Sequence, residues 1–136
     1  MKKLFVDTNV VIDLLAKRKD FAAAARLFTL ADTGDVTLYV SSLSFANVSY
    51  ILREQLGKSK TSKVLRDLSL IVTVVDLTAK SVQLALNDED IADFEDGLQY
   101  YSAIEVSANV IITRNLPDFK AAKIPVLTAD QFLKLI

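Results

Sequence analysis

Three short stretches carry most of the side chains in this sequence that could do chemistry: Asp7-Thr8-Asn9, the run from Asp88 to Asp96, and Thr113-Arg114-Asn115 with Asp118 just beyond it. The middle stretch holds six acids in nine residues. Histidine, cysteine and tryptophan are absent. That excludes a thiolate nucleophile, a Ser-His-Asp triad, an imidazole base and a Cys/His zinc site. Catalysis, if any, must run on carboxylates, amides, hydroxyls, Lys/Arg or a bound metal. Carboxylates brought together repel one another and hold protons unless a cation joins them. Mg²⁺ and Mn²⁺ are hard ions that take oxygen ligands, which suits a chain without soft ones.

Each stretch also admits a purely structural role. Asp7 stands where a strand gives way to a helix, the position of an N-cap. Asp93, Glu95 and Asp96 in a first helical turn complement the helix dipole. Asn115 and Asp118 suit a polar turn, and Asn47 suits a hydrogen-bonded amide in a core or an interface. Helical geometry adds a further constraint. At about 100° per residue, Asp93, Asp96, Gly97, Tyr100 and Ile104 share one face, while Phe94, Leu98 and Tyr101 take a neighbouring one. If that first face looks onto the strand end carrying Asp7, three carboxylates converge.

The elements that must position these groups follow from the apolar pattern. Residues 4–6 form a short buried strand ending at Asp7, and residues 10–16 a helix in spite of their β-branched Val-Val-Ile. A helix over 21–31 ends near Gly34, which suits a left-handed cap. A strand over 36–40 leads through Ser41-Ser42 into a helix that Gly57 ends near residue 56, followed by a second helix over 58–68. The Leu-Ile-Val-Thr-Val-Val run at 70–75 reads as a strand buried on both faces. Thr78 caps a helix to about 86, and the acidic run opens one reaching about 107. Strands at 110–113 and 124–127 and a Thr128-capped helix to 136 complete the chain.

Alternating strands and helices predict an α/β fold: a three-layer α/β/α sandwich around a mainly parallel sheet of about four or five strands. In such sheets ligands bind beyond the carboxyl ends of the strands. That places Asp7, Ser41-Ser42, Asp76 and Thr113-Arg114-Asn115 where a site belongs. The 136 residues suit one domain, 1–136. Zero cysteines, 3 glycines and 2 prolines fit an ordered protein of a reducing cytosol. Neither a signal-peptide apolar stretch nor a membrane span is evident, so the expectation is a soluble cytoplasmic protein without membrane association. A net charge of -1 supplies no global attraction to nucleic acid. Local basic groups would have to hold it: Lys17-Arg18-Lys19, Lys58, Lys60, Lys63 and Arg114.

Together these residues resemble a PIN domain. Val-Asp7-Thr8-Asn9 after the first strand, the helix from Ser41 to Leu52, Asp93-Phe-Glu-Asp96 opening a late helix, and Ile-Ile-Thr113-Arg-Asn115-x-x-Asp118-Phe119 follow the family's order over essentially the whole chain. The resemblance implies an acidic pocket that binds Mg²⁺ or Mn²⁺ and cleaves RNA, and specifically a toxin ribonuclease of the VapC type with an antitoxin protein as partner. It implies Asp7, Asp96 and Asp118 as catalytic acids. The metal ligands would be Asp7 and Asp96 with Asp93 and Asp118, while Thr8, Asn47, Thr113 and Asn115 line the pocket. Arg114 would contact RNA phosphate. Water activated by the metal would attack in line and leave a 5′-phosphate and a 3′-hydroxyl. The mid-chain helix, apolar most of the way round, is a candidate homodimer or antitoxin surface.

Two positions depart from the family pattern. Asn47 stands where most members carry Glu, and Asn115 where many carry Asp. Each exchange removes one negative charge, leaving Asp7, Asp93, Asp96 and Asp118. The alternative reading is a catalytically impaired PIN-like module that binds nucleic acid or protein. Other families that start with an Asp after the first strand fit less well. A haloacid-dehalogenase-like phosphatase needs Asp where this chain has Asn9, and a receiver domain needs an acidic pair that Asp7-Thr8 does not provide.

Overall fold

The computed structural model describes residues 2–136. Five strands form one sheet in the order β3-β2-β1-β4-β5, with every pairing parallel. They are β1 (Lys2–Val6), β2 (Val36–Ser41), β3 (Thr73–Val75), β4 (Val110–Ile112) and β5 (Val126–Leu127). The helices are α1 (Thr8–Leu15), α2 (Phe21–Asp32), α3 (Ser42–Ser69), α4 (Ala79–Asn87), α5 (Phe94–Glu105) and α6 (Ala129–Leu133). A 3₁₀ turn at Leu116–Phe119 links β4 to β5.

Central β1 shows why the sheet must be covered twice. Leu4, Phe5 and Val6 are all fully buried, and their alternation sends them to opposite faces. Leu4 and Val6 join the core beneath α1, α2 and α3 with Val11, Leu27 and Leu52. Phe5 joins Ala103 of α5, Ile111 and Phe119 on the other side. Helices thus cover both faces, the three-layer arrangement expected of a parallel sheet.

Topology places the site. From β1 the chain steps outward to β2 and β3, and then returns to the opposite side of β1 for β4 and β5. The crevice of an open parallel sheet lies where the strand order reverses, here beyond the carboxyl ends of β1 and β4. Asp7 follows the first and Thr113 the second. The backbone N–H of Asp7 donates to the Ile112 carbonyl at 2.9 Å, locking the two strand ends together.

Several boundaries differ from expectation. The run at 70–75 yields only Thr73–Val75 as strand, because α3 continues to Ser69 and Leu70 caps it, 83% exposed. β3 is an edge strand with Thr73 and Val74 exposed, not one buried on both faces. The closing helix stops at Leu133 and the acidic-run helix at Glu105. Helix α1 starts at Thr8, earlier than expected, because Asp7 caps it. Gly57 does break the mid-chain helix: its φ of +78° and ψ of 168° kink α3 between two arms. Gly34 takes the expected left-handed φ of +84°. The apolar stripe of α3 is used inside the chain, with Val48 and Leu52 fully buried, while Tyr50 stays 77% exposed.

Candidate active site

Asp7 is 6% exposed and caps α1. Its carboxylate accepts four hydrogen bonds. Oδ1 takes the Thr8 backbone N–H at 2.8 Å and Gln99 Nε2 at 3.3 Å; Oδ2 takes Thr113 Oγ1 at 2.9 Å and Asn9 Nδ2 at 3.2 Å. The capping role and the site role therefore coincide. Burial pushes the Asp7 carboxyl above its ordinary range and Asp118 adds repulsion, while the bonds from Thr113, Thr8 and Gln99 oppose the rise.

Helix α5 supplies the facing wall. Asp93 caps it, its Oδ2 accepting the Asp96 backbone N–H at 3.3 Å. The Asp96 carboxyl is pushed up to about 7, first by burial and then by Asp118, Asp7, Asp93 and Glu95. Those four repelling partners identify the cluster: two acids beyond β1 and β4 and three at the head of α5. Asp118 lies in the 3₁₀ turn and accepts Asn115 Nδ2 at 2.7 Å. Beside these acids opens a cavity of about 170 Å³ lined by Asp88, Asp93, Asp96, Tyr100, Pro117 and Asp118 among others.

Glu95 is a member that sequence reasoning assigned only to the helix dipole. Its carboxyl is also raised, by desolvation, Asp93 and Asp7, against a lowering hydrogen bond from Asn47. Asn47 Nδ2 donates to Glu95 Oε1 at 2.9 Å. The negative charge that Asn47 does not bring from α3 is thus present on α5, held by Asn47 itself.

Gln99 and Ser44 also went unnoticed in the sequence. Gln99 is 1% exposed, and its Nε2 faces Asp7 Oδ1, Thr8 Oγ1 at 3.0 Å and Ser44 Oγ at 2.8 Å. Thr8 and Ser44 share a further bond of 2.6 Å. The detectable signal was an amide one turn beyond Asp96 in a helix whose neighbours Leu98 and Ala103 are apolar. Gln99 Oε1 is buried without a partner, a cost accepted to turn both N–H groups toward the Asp7 cluster.

Of the expected pocket residues, Thr8 and Thr113 enter through their hydroxyls, and Asn47 and Asn115 through acids they bind. Arg114 is exposed, and its Nε lies 3.4 Å from Oδ2 of the buried Asp13. Lys63 is paired with Asp67 at 3.1 Å. Lys17, Arg18 and Lys19 are exposed beyond the far end of α1, about 12 Å of helix from Asp7.

The donor set is all oxygen and strongly acidic, and among the described residues no lysine or arginine pairs with the five acids, which fits a hard divalent cation in chemistry and charge. Among the described residues, no three His, Cys, Asp or Glu side chains are grouped so as to hold an ion as placed.

A PIN domain family model matches residues 3–117, and the chain belongs to that family. No curated protein matches the sequence. Solved structures do. One is VapBC-1 from nontypeable Haemophilus influenzae, with TM-score 0.72, 18% identity, and 94% of this chain and 98% of that one covered. A toxin-antitoxin complex from Klebsiella pneumoniae gives 0.70 at 20% identity, covering 93% and 97%. Mycobacterium tuberculosis VapC20, described as a sarcin-ricin loop cleaving toxin, gives 0.68 at 20% identity, covering 89% and 95%. The expected fold and family are thereby established. Among the described residues no helix is long and apolar enough to cross a membrane.

Proposed function

We propose that this protein is a divalent-metal-dependent endoribonuclease, the toxin of a toxin–antitoxin pair. The observation that carries the reading is the gathering of Asp7, Glu95, Asp96, Asp93 and Asp118 at the strand-order reversal, with Asp96 raised to about 7 first by burial and then by its acidic neighbours. Its support from kinship is the family itself and neighbours that are toxins or toxin–antitoxin complexes.

Asp7, Asp96 and Asp118 would hold Mg²⁺ or Mn²⁺, with Asp93 and Glu95 as accessory acids. Such an ion supplies Lewis-acid polarisation of a phosphodiester and acidifies water for in-line attack. The chain's own contribution is placement. Thr113, Asn9 and Gln99 fix the Asp7 carboxylate, Asn47 and Asn115 orient Glu95 and Asp118, and Arg114 faces the RNA backbone. An antitoxin would act by covering this acidic mouth, and α3 with its exposed Tyr50 is the surface for a homodimer or that partner.

The test is incubation of mixed RNA with the protein in EDTA, Mg²⁺ and Mn²⁺, beside Asp7→Asn and Asp96→Asn. Cleavage that needs metal and disappears in both variants is expected. Undiminished activity in the variants, or none in any metal, rejects the reading.

A further inference from the structure

Helix α1 buries Val10, Val11, Ile12 and also Asp13, which is 2% exposed. A carboxylate in that row needs a reason, since buried acids are rarely left incompletely paired. Among the described residues Asp13 Oδ1 has no hydrogen-bond partner, and Oδ2 pairs with the Arg114 Nε at 3.4 Å. An apolar side chain of similar volume would satisfy packing with less desolvation. What Asp13 does accomplish is to hold one guanidinium.

The same helix also holds the backbone of that arginine. Asn9, one turn before Asp13, accepts the Arg114 N–H on Oδ1 at 3.1 Å and donates through Nδ2 to Asp7 Oδ2. Two residues four apart on α1 thus fix Arg114 at backbone and side chain, one of them bonded directly to the central carboxylate. Arg114 sits between two spaces. On one side an open cleft of about 350 Å³ is lined by Asn9, Arg114 and Asn115. On the other a cavity of about 200 Å³ is lined by Val10, Asp13, Asp20, Arg114 and Thr128 among others. The contact runs through Nε, so among the described residues the four Nη hydrogens remain for a bidentate partner such as a phosphate.

We infer that Asp13 is a positioning residue that tethers Arg114 through Nε so that its Nη edge meets an RNA phosphate in the cleft beside Asp7. The inference rests on the ribonuclease reading. Without the tether the Arg114 side chain loses its fixed direction, and phosphate binding weakens although every acid of the site is intact.

The experiment is fluorescence anisotropy of a labelled single-stranded RNA in EDTA across about 50 to 200 mM KCl. It uses the full chain, Asp13→Asn, Arg114→Gln and their double variant, with Asp13→Leu as a second change that keeps the branched shape and removes the charge. Thermal unfolding is recorded alongside. Expected is a loss of affinity of about three- to tenfold in Asp13→Asn and Arg114→Gln, each lowering the salt slope by about 0.7 as one phosphate contact goes. The double variant should bind no worse than Arg114→Gln, and Asp13→Leu should match Asp13→Asn while staying folded. In Mg²⁺, Asp13→Asn should raise KM with kcat nearly unchanged. Wild-type affinity and slope in folded Asp13 variants, or additive losses in the double variant, would overturn the tether and leave the ribonuclease reading standing. Failure of the unaltered protein to bind RNA at any salt would overturn both.

Discussion

The two ends of α1 carry two buried aspartates that face opposite problems. Asp7 accepts four hydrogen bonds and stands among other acids, with no arginine or lysine paired to it among the described residues. Asp13 lacks such donors but has its own cation, Arg114. Burial raises both carboxyls; Asp118 raises Asp7 further, whereas Arg114 pulls Asp13 back. Burial alone therefore does not mark a metal site. On the proposed reading, an acid that is well oriented, surrounded by like charge and still missing a counter-charge offers a place for an ion, whereas an acid already matched to a guanidinium serves that guanidinium.

The widest gap between the two should appear in RNA cleavage. Asp7→Asn and Asp96→Asn should lower kcat by about 10²- to 10³-fold, since the electrostatic help of a metal amounts to several kcal/mol. Asp13→Asn should leave kcat within about threefold of the unaltered protein. A large kcat loss in Asp13→Asn would erase the distinction.

Acidity separates them next. Asp96 rises from 3.8 to about 7 in the folded chain, so the folded state binds its proton more tightly than the unfolded one. Its contribution to stability therefore falls as pH climbs from about 4 to about 7 and is level above that. Unfolding midpoints should follow this decline, and Asp96→Asn should flatten it. A cation must displace that same proton. Apparent Mn²⁺ affinity should weaken by up to about tenfold for each pH unit below 7, a dependence that Asp96→Asn reduces and Asp13→Asn leaves alone.

Smaller still is the effect on urea unfolding of breaking the Asp13 pair. Arg114→Gln should cost about 1–2 kcal/mol, because a buried carboxylate loses its nearest cation while the guanidinium itself is partly exposed. Asp13→Leu should change stability by less than about 1 kcal/mol in either direction, removing both the charge and its desolvation. A loss of several kcal/mol in Asp13→Leu would make Asp13 a stability element instead.

How much of this was legible in the sequence follows from what kind of interaction each residue makes. Leu4-Phe5-Val6 and Val110 to Ile112 are apolar runs ended by polar residues, so the strands, their carboxyl ends and hence Asp7 and Thr113 could be placed directly. The run at 70–75 misled because β-branched residues also serve an edge strand and the turn before it. Asp93 and Asp96 were visible through helical spacing. Glu95 was not, because its place in the cluster depends on a bond across to Asn47, 48 positions away. Gln99 and Ser44 meet across 55 positions, and a pairing of that kind leaves no local pattern. Asn9 and Asp13 did carry a signal, their four-residue spacing on α1, but its meaning needed Arg114 beside them.

The central claim is that the acids beyond β1 and β4 and at the head of α5 form a divalent-cation site. Calorimetric titration of the protein with Mn²⁺ tests it most directly, at a pH near 6 and again near 8, for the unaltered chain, Asp7→Asn, Asp96→Asn and Asp13→Asn. The account predicts binding by the unaltered chain and Asp13→Asn, tighter at the higher pH and accompanied by proton release at the lower, with binding lost in Asp7→Asn and Asp96→Asn. No Mn²⁺ binding by the unaltered chain, or equal binding by all four proteins, would contradict it.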